Sequence, residues 1–231
     1  MDLDGARVLV CGASGVLGGA LSAGLLAQGA RVVAAGRDAG RTASVAQRCG
    51  TTPLTFDVVD GRSCQEVVDA AAAQLGGLDV LVVATGVAAF GPAVSADAAV
   101  VEELFAVNTL GPMALVRAAA PHLSEGGAVV VVSAILADSP TTGMAEYSAT
   151  KSALAAWLSV LRREQRKAFT VLDVRPPHMD TGLADHPLAG EAPALPAGHP
   201  LEDTVATTLE ALRQGKREVV WDARTKALVT H

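Results

Sequence analysis

The chain has 231 residues, half of them hydrophobic, with a formal charge of −6 and a pI near 5.3, so it holds no basic excess for a nucleic-acid partner. Cys11, Cys49 and Cys64 are odd in number and lack metal or disulfide spacing, which excludes a disulfide scaffold and a cysteine metal site. The length suits one α/β domain over residues 1–231, no run approaches transmembrane length, and a strand begins too early for a signal peptide, so the expectation is a cytoplasmic protein with no membrane partner.

Arg7–Cys11 (RVLVC) reads as a strand that runs into glycines, followed by a helix over about Val16–Gln28 that Gly29 stops. Arg31–Ala35 is a second strand, Ala39–Arg48 a second helix and Thr52–Phe56 a third strand. Asp60 reads as the N-cap of a helix to Leu75, closed by Gly76-Gly77. Leu78–Ala84 is a fourth, very apolar strand. One long helix is expected over about Asp97–Leu123, kinked at Pro112. Ala128–Ser133 is a buried strand, Ala145–Lys167 a helix whose basic end suits the helix dipole, and Phe169–Val174 a sixth strand. Pro176–Pro200 reads as a loop or lid, Leu201–Gln214 as a last helix and Glu218–Trp221 as a last strand. Strict β-α alternation predicts a doubly wound, mostly parallel sheet of about seven strands with helices on both faces. A ligand crevice is expected at the carboxyl ends of its strands.

Gly12-Ala13-Ser14-Gly15-Val16-Leu17-Gly18 lies between the first strand and helix. Glycines there let backbone N–H groups reach a pyrophosphate, and the helix turns its positive end toward it. Ser14 either bonds the cofactor or completes the turn. The second strand leads into Arg37-Asp38, where an Arg suits the 2′-phosphate of NADP and a carboxylate the 2′-hydroxyl of NAD. Asp38 can instead cap the next helix, which favours NADP over NAD.

Tyr147 and Lys151 stand four residues apart on one helix face, and Tyr147 is the only tyrosine. A nearby ammonium is expected to lower the phenol pKa. With Ser133 fourteen residues upstream, Asn108 in NTLG, Asp57 closing the third strand and Pro176–Thr181 (PPHMDT), the chain resembles the short-chain dehydrogenase/reductase family over nearly its whole length. The resemblance implies a Rossmann-like NAD(P)-dependent oxidoreductase, EC 1.1.1 in type, acting on a carbonyl/alcohol pair. It implies Tyr147 as general acid/base, Lys151 as its pKa partner and a ribose contact, Ser133 on the substrate oxygen, and Asn108 holding a water that links Lys151 to solvent. Cofactor contacts are implied at Gly12, Ser14, Gly15, Leu17, Gly18, Arg37, Asp57, Val58, Ala84, Gly86, Pro176, Met179 and Thr181, with no metal. The helices carrying Asn108 and Tyr147 are implied to form a homodimer or homotetramer. The chain departs from the family in its GxxGxxG spacing, in Cys11, in Ala84-Thr85-Gly86-Val87 where the family has NNAG, and in Pro177.

The lid carries Leu183, Pro187, Leu188, Pro193, Leu195 and Pro196 and neither Arg nor Lys, so a neutral, fairly apolar small-molecule substrate is expected. His178 and Asp138 are candidate substrate contacts or merely solvated, and Trp157 is read as packing. Two other functions stay open: a dinucleotide-binding regulator or scaffold without turnover, and an isomerase or epimerase suggested by the glycine spacing.

Overall fold

The computed structural model describes residues 1–231. Its first half runs β1 (Arg7–Cys11), α1 (Val16–Ala27), β2 (Arg31–Gly36), α2 (Ala39–Cys49), β3 (Leu54–Thr55), α3 (Gly61–Leu75) and β4 (Leu78–Val83). The second half runs α4 (Ala98–Phe105), α5 (Gly111–Ala119), β5 (Leu123–Val132), α6 (Ala145–Glu164), β6 (Phe169–Arg175), α7 (Leu201–Arg213), β7 (Glu218–Asp222) and β8 (Ala227–Thr230). The strands form one sheet in the order β3-β2-β1-β4-β5-β6-β7-β8, with every pair parallel except β7–β8.

The strands read as unbroken apolar runs because both sheet faces are covered. Side chains alternate across the sheet. Leu9, Val33, Leu81, Val83, Val129 and Val131 share one core with α3, α5 and α6. Val8, Val10, Val32, Val80, Val82 and Val130 share the other with α1, α2 and α7. Full burial of such a side chain contributes roughly 1.5–3 kcal/mol, so these two layers hold the strand ends in place. Strand order reverses between β1 and β4, and that switch point opens the expected crevice.

Several expected elements differ. The sheet has eight strands, not seven, because Ala227–Thr230 folds back antiparallel on β7. Lys226 takes φ +51° in the turn between them. Strand β3 is only two residues long: Pro53, with no N–H, precedes it at the sheet edge. Helix α6 stops at Glu164, where Gln165 takes over the last carbonyl and turns the chain toward β6.

The single long helix is broken into α4, a π turn at Ala106–Leu110, α5 and a 3-10 turn at Ala120–His122. Pro112 cannot donate back to Asn108, and the Gly111 N–H reaches five residues back to Ala106 O instead. Contrary to expectation, Ala98–His122 together is long and apolar enough to cross a membrane by length and composition alone. In this fold its α5 part packs Leu115, Val116, Ala118 and Ala119 into the sheet core.

Residues 176–200 hold neither helix nor strand, as expected of a lid. The segment is tied across the crevice by Leu188 N–H to Ala88 O (2.8 Å) and Phe90 N–H to Ala189 O (2.9 Å). Gly190, at φ +74°, lies so close over the Phe90 carbonyl that a side chain there has no room.

Candidate active site

The glycine turn sits on the switch point. Gly12 has φ +90°, and a Cβ there would come within 2.6 Å of Ala84 O at the end of β4. A Cβ on Gly18 would strike the Gly12 carbonyl, so α1 can approach β1 closely. The N–H groups of Gly12 and Ala13 both donate to Ala35 O at 2.9 Å, tying the turn to β2. Helix α1 starts after Gly15 with no side-chain cap and no acidic residue in its first turn. Its leading N–H groups, around Val16, Leu17 and Gly18, therefore remain for an anion.

Ser14 rests its hydroxyl against Gly36, where a Cβ would come within 2.6 Å of it. Arg37 is exposed beside this turn and forms no ion pair. Asp38 caps α2, accepting from Arg41 N at 2.8 Å and pairing with Arg41 Nε at 3.1 Å. Those bonds hold its carboxyl below the usual range. Of the two roles open to Asp38, helix capping is the one its geometry displays.

Asp57 is exposed; its Oδ1 accepts from Val59 N at 3.1 Å and its own N–H donates to Ser63 Oγ. Val58 packs against Gly111. Ala84 N–H donates to Cys11 O at 2.8 Å. The neighbouring Thr85 hydroxyl is buried without a partner. Gly86 lies where a Cβ would be 3.4 Å from Asn108 Oδ1 and 3.6 Å from Lys151 Nζ. Across the crevice, Pro176 O accepts from Ile135 N, and Met179 O accepts from Thr181 N at 2.8 Å. Every cofactor candidate from the sequence thus lies on a segment leaving the carboxyl end of β1, β2, β3, β4 or β6.

Tyr147 and Lys151 are both buried on α6, with Nζ 5.8 Å from the ring centroid. Lys151 donates to Val132 O at 3.2 Å, the residue before Ser133. Burial pulls the Lys151 ammonium down to about 8, against an upward pull from Asp173. Burial pushes the Tyr147 phenol up to about 12, which corrects the expectation that Lys151 lowers it. Desolvation of the phenolate outweighs an ammonium at this separation.

Asn108 is buried in the π turn beside α6. Its amide is spent on Val87 N, Val87 O and Thr150 Oγ1, so the side chain braces the segment after β4 against α6. Thr109 adds a bond to Thr150 O at 2.9 Å. The π turn thereby clasps the part of α6 that carries Tyr147 and Lys151.

Ser133 Oγ donates to Asp173 Oδ1 at 2.5 Å, and Asp173 Oδ2 accepts from Arg175 Nε at 2.7 Å. Arg175 also holds Asp138, so that carboxylate is ion-paired and not a free substrate contact. His178 pairs with Asp180 at 3.3 Å. Sequence reasoning overlooked Asp173 and Arg175. A charged residue inside the apolar run Val171-Leu172-Asp173-Val174 was the available signal, since buried charges in central strands are rare.

Around Tyr147 the surface is apolar. Ala88, Phe90, Leu104, Ala134 and Met144 form a small cluster with it, joined by Val87, Leu136, Ala184 and Leu188. The lid contributes the last two, whereas Leu183 is exposed.

The family model for short chain dehydrogenase matches residues 6–191. A cyclic-di-GMP-binding biofilm dispersal mediator protein of Escherichia coli (strain K12) is 31% identical over 221 residues, spanning 94% of this chain and 86% of that protein. A short chain dehydrogenase from Burkholderia cenocepacia J2315, solved in complex with NADP, superposes with a TM-score of 0.79 at 29% identity and covers 92% of both chains. A short chain dehydrogenase/reductase from Burkholderia phymatum, solved in complex with NAD, shares the fold at a TM-score of 0.83 and 22% identity, covering 95% of this chain and 90% of its own.

Proposed function

The chain belongs to the short-chain dehydrogenase family of oxidoreductases, and on that premise we propose that it moves a hydride between NADP and the carbonyl/secondary-alcohol pair of a small, fairly apolar substrate. The observation that carries this reading is the buried Tyr147–Lys151 pair, 5.8 Å apart from ring to Nζ, set in an apolar cluster.

The residues present fit a dinucleotide. A Cβ at Gly12 or Gly18 would fill the turn, α1 presents uncapped N–H groups, and the Thr85 hydroxyl is buried without a partner. Gly12, Ser14, Gly15, Leu17 and Gly18 would hold the phosphates, Arg37 the 2′-phosphate, and Asp57 and Val58 the adenine. Ala84, Gly86, Lys151, Pro176, Met179 and Thr181 would hold the nicotinamide half. When bound, the nicotinamide supplies or accepts the hydride. Tyr147, pushed up to about 12, keeps its proton at neutral pH and gives it to the substrate oxygen in reduction; in oxidation it takes a proton back. The Lys151 ammonium stabilises the phenolate left behind, and Ser133 orients the substrate oxygen. NADP over NAD is supported by Arg37, exposed and unpaired, beside an Asp38 already turned to its cap.

A homodimer or homotetramer through α4–α5 and α6 is supported by Leu110 (60% exposed) in the π turn between α4 and α5 and by Val160 (43% exposed) on α6. Three free cysteines, two of them buried, suit a reducing cytoplasm.

A second reading, a nucleotide-binding regulator without turnover, is favoured by the name of the Escherichia coli relative. Titration with NADPH, NADH and cyclic-di-GMP, followed by a panel of neutral aldehydes and ketones, separates the two. Hydride transfer is supported by tight NADPH binding with turnover. Cyclic-di-GMP binding with no turnover on any carbonyl supports the regulator.

A further inference from the structure

Between Ser133 and α6 the chain makes one 3-10 turn, Ile135–Ala137. It carries Leu136 into the apolar cluster around Tyr147, where Leu136 joins the lid residues Ala184 and Leu188. A single turn of this kind is short and poorly hydrogen-bonded, so its place is set by what holds its ends. Ile135 N–H donates to Pro176 O at 3.0 Å, and Ser152 Oγ of α6 donates to Ala137 O at 2.9 Å. The third anchor is a charge: Asp138, next after the turn, accepts from Arg175 Nη1 with both oxygens, at 3.1 and 3.0 Å.

The Asp138 side chain is 53% exposed, and an ion pair so placed ordinarily contributes little, because two long side chains must be ordered to form it. Here one partner is ordered already. The Arg175 side chain is 12% exposed, with Nε on Asp173 at 2.7 Å and Nη2 on Glu218 at 3.2 Å. Asp138 therefore closes on a cation that β6 and β7 hold in place. Asp173 also accepts the Ser133 hydroxyl, so the Leu136 turn and Ser133 are both referred to one guanidinium. We propose that Asp138 is a positioning residue that sets specificity without touching the substrate: its clamp on Arg175 fixes Leu136 as a wall beside Tyr147 and limits the bulk of the carbonyl compound accepted. The proposal rests on the hydride-transfer reading above.

Asp138→Ala tests it, since it frees one end of the turn and leaves Arg175 with Asp173 and Glu218. Cyclohexanone and its para-tert-butyl derivative present the same reacting carbonyl with different bulk. The expected result is a rise of about fivefold in kcat/KM for the bulkier ketone relative to the smaller, the size of one net hydrogen bond. Asp138→Asn keeps an acceptor for Arg175 and is expected to hold that ratio within about twofold of wild type. Leu136→Ala raises the ratio in the wild-type background and adds little to Asp138→Ala, because Asp138 acts through Leu136. An unchanged ratio in Asp138→Ala overturns the proposal. So does an equal effect of Leu136→Ala in both backgrounds, or a shift in Asp138→Asn as large as in Asp138→Ala. If the wild-type protein reduces neither ketone, the hydride-transfer reading falls separately for such substrates. The clamp is then judged by the same cycle in urea unfolding, where non-additive effects of Asp138→Ala and Leu136→Ala support it and additive ones overturn it.

Discussion

Asn108 and Val87 are joined by two hydrogen bonds: Nδ2 donates to Val87 O at 2.9 Å, and Oδ1 accepts from Val87 N at 3.0 Å. The side chain thus acts as a strand edge for the backbone that leaves β4 toward the crevice. Asn108→Ala leaves both half-buried backbone groups of Val87 without this partner and removes a donor to the buried Thr150 hydroxyl, at a cost of about 2–4 kcal/mol. Urea unfolding measures this, and a loss below about 0.5 kcal/mol contradicts the bracing role.

Arg37 carries the cofactor preference. Arg37→Ser is expected to weaken NADPH binding by roughly 10–100-fold, the range of one or two charged hydrogen bonds, and to leave NADH within about twofold. Fluorescence titration reads both. An equal loss for the two cofactors, or none, removes Arg37 from the 2′-phosphate.

The buried ammonium makes a signed pH prediction. Lys151 titrates near 8 in the fold and near ~10.4 when unfolded, so between those values the unfolded chain binds more protons. Stability therefore rises with pH over that window. Above about pH 10 the raised Tyr147 opposes it, since the unfolded phenol ionises first. The Lys151 contribution from pH 8 to pH 10 is on the order of 2 kcal/mol. Lys151→Met removes the slope and raises stability at neutral pH, as unfolding curves across that range will register. Carbonyl reduction by the wild type is expected to fall as pH rises through about 8, when the charge facing Tyr147 is lost. A flat stability profile with Lys151 intact contradicts the buried cation.

The β-α rhythm was legible because each strand's both-face burial writes itself as a local apolar run, and because Asp60, Gly76 and Gly29 punctuate the helices at their own positions. The glycine turn and the Tyr147–Lys151 spacing were legible for the same reason: both are short-range patterns. Strand β8 was not, since four residues after a tight turn carry too little periodicity. The break at Ala106–Leu110 arises from a missing N–H at Pro112 and from the tertiary clasp on Thr150, and only the first is visible locally. Ser133, Asp173, Asp138 and Glu218 come from different segments and meet around Arg175 only once β5, β6 and β7 are side by side. The rise of the Tyr147 phenol also depends on burial that no spacing reports.

The central claim is that the Tyr147 hydroxyl moves the proton that accompanies hydride transfer. Tyr147→Phe, assayed at saturating NADPH on a carbonyl that the wild type reduces, measures it directly. Turnover is predicted to fall by at least about 100-fold, the lower bound for loss of a general acid, with NADPH affinity kept within about twofold. Turnover close to the wild-type value, with NADPH still bound, would contradict the account and move the proton to another group.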